Sequence, residues 1–175
     1  MIRSFNHTIF YGVLGLLLLT WNMVNAQFLR FSMEVETELS ARNESKLNFG
    51  NMASGTRELS LNDDGIGIFS ISAYQNVHVN ISIETPGYLL NSMRGNNDQL
   101  EVVLNSAYAN EGENNYKQAI SMTDNKARFP VRESSGARRS IGIERCWLYI
   151  YGTITAGDVS PGIYEGDVVV HIEYE

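Results

Sequence analysis

Apolar and polar residues alternate along much of the chain. In residues 31–39, Phe31, Met33, Val35, Thr37 and Leu39 take one phase, and Ser32, Glu34, Glu36 and Glu38 take the other. Successive side chains of a strand point to opposite faces, so this period of two predicts a strand covered on one side. A helix would scatter the same acids around its circumference. The alternation recurs at Val77, Val79, Ile81 and Ile83 against His78, Asn80, Ser82 and Glu84. It returns at Val168, Val170, Ile172 and Tyr174 against Asp167, Val169, His171 and Glu173, a last strand expected to lie inside the fold.

Shorter runs fill the intervals. Residues 57–61 lead into Asn62-Asp63-Asp64-Gly65, whose side chains tolerate the backbone angles of a turn. Ile66, Ile68 and Ser70 then share one phase, with Gly67 and Phe69 in the other. Pro86-Gly87 ends the strand before it by removing a donor and relaxing the backbone. A polar turn at 95–98 precedes a strand at 100–104; residues 110–115 read as a polar loop and 117–122 as a short strand. Residues 127–140, with Pro130, Gly136 and several charges, read as a long surface loop. Residues 141–154 are rich in β-formers and place Trp147, Tyr149 and Tyr151 in strand register, as a packed core or inter-sheet row. Short strands separated by Gly, Asn, Asp and Pro turns predict an all-β fold, a β-sandwich of antiparallel strands. A closed barrel is the alternative, because pattern alone does not decide closure.

The front end has a different grammar. Arg3 is followed by an almost wholly apolar run at 9–19 and a small-residue exit at Val24-Asn25-Ala26. That order predicts a secretory signal peptide over residues 1–26, cleaved before Gln27, and a single β-sandwich domain over 27–175. The apolar run is short of the roughly 20 residues of a full membrane span, an uncleaved anchor being the alternative. The expected location is therefore secreted, at the cell surface, in the extracellular space or in the periplasm, with no membrane span after cleavage.

The formal net charge of −7 opposes nucleic acid and anionic headgroups, so no nucleic-acid partner is expected. Arg128, Arg132, Arg138, Arg139 and Arg145 are a local exception, without the interleaved aromatics of a single-strand platform, and read as solvated loop charge. The one cysteine, Cys146, excludes an intramolecular disulfide and reads as a small buried apolar residue.

Catalytic and metal chemistry leave few candidates. His78 and His171 sit on polar phases of their strands without a cysteine pair, which does not make a zinc pattern. Asp63-Asp64 could offer oxygens to calcium, but the loop pattern is missing and a hairpin turn explains them. Glu111 with Glu113, or Glu34 with Glu36, could be an acid pair only if they faced one another across a cleft. There is no serine elbow, phosphate loop or nucleotide fingerprint. The reading is no enzyme, no catalytic residue, no cofactor and no metal ligand. Asn43-Glu44-Ser45 and Asn80-Ile81-Ser82 match the glycosylation acceptor rule, which matters only in a host with that machinery.

Two stretches carry a family likeness. One is Lys46-Leu47-Asn48-Phe49-Gly50-Asn51-Met52 followed by Gly55; the other is Gly152-Thr153-Ile154 with Ser160-Pro161-Gly162-Ile163-Tyr164-Glu165-Gly166-Asp167 and the alternating run to Tyr174. Together they resemble the secreted bacterial DUF4402 family, similar in style to spore coat protein U and pilin-like subunits. The resemblance implies an immunoglobulin-like or pilin-like sandwich, a structural role at the surface, no cofactor and no catalytic residues. Independently of it, Phe49 can plug a sheet edge beside a permissive Gly50. Pro161-Gly162 can set a turn, Tyr164 can cap the core, and Gly166 can admit the chain closely packed into its last strand.

The function expected is a non-enzymatic structural protein, a fimbrial or adhesin-like subunit for cell adhesion. It would associate with itself or with related surface subunits through an edge or N-terminal strand, the 31–39 segment lying in its own sandwich or in a neighbour's. The alternative is a small extracellular module that binds a glycan or other ligand through the polar loops 91–98 and 110–115 beside its tyrosines.

Overall fold

The computed structural model describes residues 39–52, 54–93, 95, 97–132 and 142–175. The expected signal peptide, the 31–39 strand up to Glu38, and Arg138 and Arg139 lie outside the described residues.

The chain forms β1 (Ser40–Ser45), β2 (Gly55–Leu59), β3 (Gly67–Tyr74), β4 (His78–Glu84), β5 (Tyr88–Asn91) and β6 (Gln99–Ala109). A 3-10 turn at Tyr116–Gln118 precedes β7 (Ile120–Ser121), β8 (Lys126–Pro130), β9 (Ile143–Ala156), β10 (Tyr164–Glu165) and β11 (Val169–Tyr174). An eight-stranded sheet runs β1-β3-β9-β6-β5-β10, with β2 paired to β9 and β7 to β6; a three-stranded sheet runs β11-β4-β8. Every pairing is antiparallel. The protein is an all-β antiparallel sandwich, and the described residues fall in one compact unit.

The core lies between the two sheets. Ile71, Ala73, Val102, Leu104, Leu148, Ile150 and Ile154 of the large sheet are buried with Val79, Ile81 and Ile83 of β4 and with Phe129 and Val131. Full burial of one such aliphatic or aromatic side chain contributes about 1.5–3 kcal/mol. Tyr108 of β6 stacks on Phe129 of β8 at 4.1 Å between ring centroids and 7° between planes, joining the sheets across the core. The expected alternation of β4 is present, with Val79, Ile81 and Ile83 buried and His78 and Glu84 exposed.

Four expectations are corrected, and the faces of β3 are now assigned. Residues 127–130 are not surface loop but most of β8, because Ala127, Phe129 and Val131 alternate with Lys126, Arg128 and Pro130; residues 133–140 of that stretch lie outside the described residues. Among the described residues the last strand, β11, is an edge strand with one half-buried face rather than an interior one. Residues 117–122 hold the end of a 3-10 turn and the two residues of β7. In β3, the inward phase is Phe69, Ile71 and Ala73, opposite Leu148, Cys146 and Glu144, so Ile68 and Ser70 face outward. The Trp147, Tyr149, Tyr151 row shares that outward face, since Tyr149 stands opposite Ile68 and Ala107.

Tyr149 is nonetheless fully buried, because the polar 110–115 loop folds over it. Trp147 Nε1–H donates to the Gly112 carbonyl at 3.0 Å, and the Tyr149 hydroxyl donates to Asn114 Oδ1 at 2.8 Å. The loop thus serves as a lid on the outer face, held by polar tips of aromatic bodies.

Candidate site: a free strand edge and the cavity beside it

Unpaired strand edges invite another strand, and proteins guard them with charge, proline, bulges or brevity. Among the described residues, β8 is guarded by Lys126, Arg128 and Pro130. β1 carries Arg42 and a register break between Asn43 and Ser45, and β10 is two residues long. β11 differs. Its six residues hold unbroken register with β4, include no proline or glycine, and carry Glu173 as their one acidic charge. The Glu175 amide donates to the His78 carbonyl at 3.1 Å. Bonded pairs alternate along an antiparallel ladder, so Val169, His171 and Glu173 also turn their amides toward β4. Val170, Ile172 and Tyr174 therefore present theirs to the open side.

A cavity of about 520 Å³ opens beside the start of this strand. Phe69, Leu104 and Ile150 form an apolar floor on the inner face of the large sheet. Leu47 and Phe49 line one wall and the 166–168 segment lines another, with Lys46, Glu165 and Asp167 supplying charge. The sequence places these walls for local reasons. The Asn48 amide donates to the Gly65 carbonyl at 2.8 Å and its side chain accepts from the Gly50 amide at 2.8 Å, turning Phe49 inward to burial. A Cβ at Gly166 would lie 2.8 Å from Leu89 Cδ2 and 3.2 Å from Pro86 Cγ, so the close passage expected there is real. The Tyr164 hydroxyl donates to the Ser160 carbonyl at 2.6 Å and closes the Pro161-Gly162 turn.

The residues considered for chemistry are dispersed. His78 and His171 are both exposed, and His171 faces Ser82, four residues along β4 from His78. His171 Nε2 lies 3.3 Å from Glu84 Oε1, both on the solvent face. Asp63 Oδ2 accepts from the Ser60 amide at 2.6 Å, which commits that side chain to the turn. Glu111 pairs with Arg132 at 3.2 Å, while Glu34 and Glu36 lie outside the described residues. Of the arginines expected to be solvated loop charge, Arg128 instead pairs with Glu175, and Arg145 lies over the Trp147 ring at 5.7 Å. Among the described residues no group of three or more His, Cys, Asp or Glu could hold a metal ion, and no helix is long and apolar enough to cross a membrane.

Cys146 is fully buried, as expected. Burial, then the charge of Glu144, pushes its thiol up to about 12, so it stays protonated and is a poor nucleophile at neutral pH. Burial likewise pushes the Tyr149 phenol up to about 12.

Sequence reasoning found the strands around this site but not the site. Which strand would be left as an open edge among the described residues depends on pairing, and β11 carries no local mark of its place. No family model matches the chain, and neither a curated protein nor a solved structure matches it.

Proposed function

We propose that the protein is an exported, non-enzymatic structural protein of the cell surface or extracellular space, a fimbrial or adhesin-like subunit that associates through β-strand contacts. The observation that supports this reading is the edge of β11, unpaired among the described residues, beside an apolar-floored cavity, the combination that strand addition uses. Main-chain bonds along an edge give affinity, and pockets for alternate side chains give specificity. The edge of β1, likewise unpaired among the described residues, is a second surface for subunit contacts. The DUF4402 likeness agrees with such a role, since Phe49 of its first motif and Tyr164, Glu165, Gly166 and Asp167 of its second line this cavity.

The test is the native mass of the protein beginning at Gln27, taken over a concentration series and again after denaturation and refolding. Ladders or assemblies that persist until denaturation are the expected result. A reversible monomer at every concentration rejects assembly and favours the second reading, a ligand-binding module. That reading draws on the same cavity, whose apolar floor and charged rim suit a small amphipathic ligand.

A further inference from the structure

We infer that β11 is a self-complementary edge: the β11 strands of two copies pair antiparallel about a two-fold axis at Ile172 and join their three-stranded sheets into one. This rests on the reading that the β11 edge accepts a strand; it adds which strand, in which direction and in which register.

Hydrogen bonding restricts the direction and the register. Among the described residues no strand pairs with β11 on the side away from β4. Val170, Ile172 and Tyr174 point their amides and carbonyls to that side, because Val169, His171 and Glu173 exchange theirs with β4. A two-fold axis normal to the sheet makes the two strands antiparallel and keeps the core-facing phase of both on one side of the joined sheet. With the axis at Ile172, Ile172 faces Ile172 of the second copy, and Val170 faces Tyr174. These are hydrogen-bonded pairs, so every outward amide of β11 meets a carbonyl. A slip of one residue would set outward amides against inward ones and turn the apolar phase of one copy to water.

Charge chooses among the registers that remain. On the solvent face, the axis at Ile172 sets His171 opposite Glu173 of the second copy, and Glu173 opposite His171. A slip of two residues would set His171 against His171 or Glu173 against Glu173, and like charges directly opposite destabilise a strand pair. Glu173 is suited to a partner outside its own copy. It is exposed and makes no ion pair among the described residues, since Arg128 pairs with Glu175 and His171 Nε2 lies 3.3 Å from Glu84 Oε1 on the β4 side. Glu173 of the second copy would approach His171 from the side away from Glu84. On the other face, half-buried Val170, Ile172 and Tyr174 continue as one row across the junction. The contact uses the same patch on both copies and closes on itself, so longer ladders need the edge of β1 as a second surface.

The experiment measures dimerisation by sedimentation equilibrium up to about 1 mM, the range that a strand-edge contact of this size calls for. It uses the chain from Gln27, an acidic variant with His171→Glu, a basic variant with His171→Lys and Glu173→Lys, and an equal mixture of the two variants. The unsubstituted chain is expected to dimerise. Each variant alone opposes like charges at both crossings and should dimerise about tenfold more weakly or worse. The mixture opposes unlike charges at both crossings, so heterodimers should form at least as tightly as the unsubstituted dimer, which also shows that both variants are folded. Register is read from cysteine pairs: His171→Cys mixed with Glu173→Cys should cross-link between copies, the two Cα atoms being about 4.5 Å apart in such a pair. Cross-linking mainly within one cysteine variant alone overturns the register. Weakening without recovery in the mixture overturns the pairing of His171 with Glu173. Assembly of unchanged strength in both charge variants overturns the inference and leaves the wider reading standing; a monomer at every concentration overturns both. Slow exchange at the amides of Val170, Ile172 and Tyr174 where the protein is monomeric would put another strand of the same chain on β11 and overturn the inference.

Discussion

Gly152 of β9 stands directly against the main chain of β6, so that a Cβ at position 152 would overlap the Val103 carbonyl oxygen and lie 3.0 Å from Leu104 Cα. Its φ of 149° also lies in a region that L side chains rarely adopt. Both obstacles are backbone, which cannot swing aside as a flexible side chain would. Gly152→Ala is therefore expected to destabilise the fold by about 3 kcal/mol or more. Urea unfolding of the two proteins checks this. A change under 1 kcal/mol would mean that the two central strands separate more readily than their pairing implies.

Phe129 is the residue most at odds with a surface-loop reading of its segment. It is 2% exposed and stacks on Tyr108 across the core. Phe129→Ala should cost about 3–5 kcal/mol, through lost apolar burial and the cavity left behind. Phe129→Leu should recover much of that loss. Equal stability of wild type and the alanine variant would remove β8 from the core.

The outer-face lid depends on two polar tips. Tyr149→Phe removes the bond to Asn114 while keeping the ring, and is expected to cost about 1 kcal/mol. The diagnostic readout is local: exchange at amides 111–115 should accelerate more than exchange in β4. Uniform acceleration would show instead that the loop does not open independently of the sandwich.

Alkaline pH should weaken the fold. The Cys146 thiol and Tyr149 phenol are both raised to about 12 in the folded protein, from ordinary values of 9.0 and 10.0. Between the ordinary and raised values the folded state binds more protons than the unfolded state, so unfolding free energy falls as pH rises. The contribution is complete below about pH 9 and is lost progressively from pH 9 to 12. Unfolding measured at pH 8, 9, 10 and 11 should show this decline, and Cys146→Ala with Tyr149→Phe should flatten it. A profile of the same slope in the double variant would assign the effect to other groups.

The same burial governs thiol chemistry. Cys146 should resist alkylation at neutral pH in the native protein and react fully in denaturant. Mass spectrometry of the alkylated chain reads the outcome, and rapid native labelling would contradict a closed core around β9.

Period-two patterning was enough to establish the all-β class and most strands, because alternation is a property of neighbours along the chain. Val79, Ile81 and Ile83 face the core, as their spacing predicts. The turn at Asp63 and the burial of Cys146 were legible for the same local reason. The pattern at Ala127, Phe129 and Val131 was also present, but proline and charge beside it outweighed it in the reading.

Other features had no local signature. A strand shows that it has two faces without showing which one meets the second sheet, so the phase of Ile68 and Ser70 carried no side and the Trp147 to Tyr151 row was placed on the wrong one. Tyr149 is buried on the outer face because a loop beginning 39 positions earlier, at Asn110, returns over it. Likewise, only the pairing order of β11, β4 and β8 leaves β11 with an edge that no described strand covers. Alternation is written residue by residue, so the sequence alone determined that this chain would build antiparallel strands. Which faces and edges remained uncovered was decided by the tertiary structure, because coverage depends on distant segments arriving at the same place.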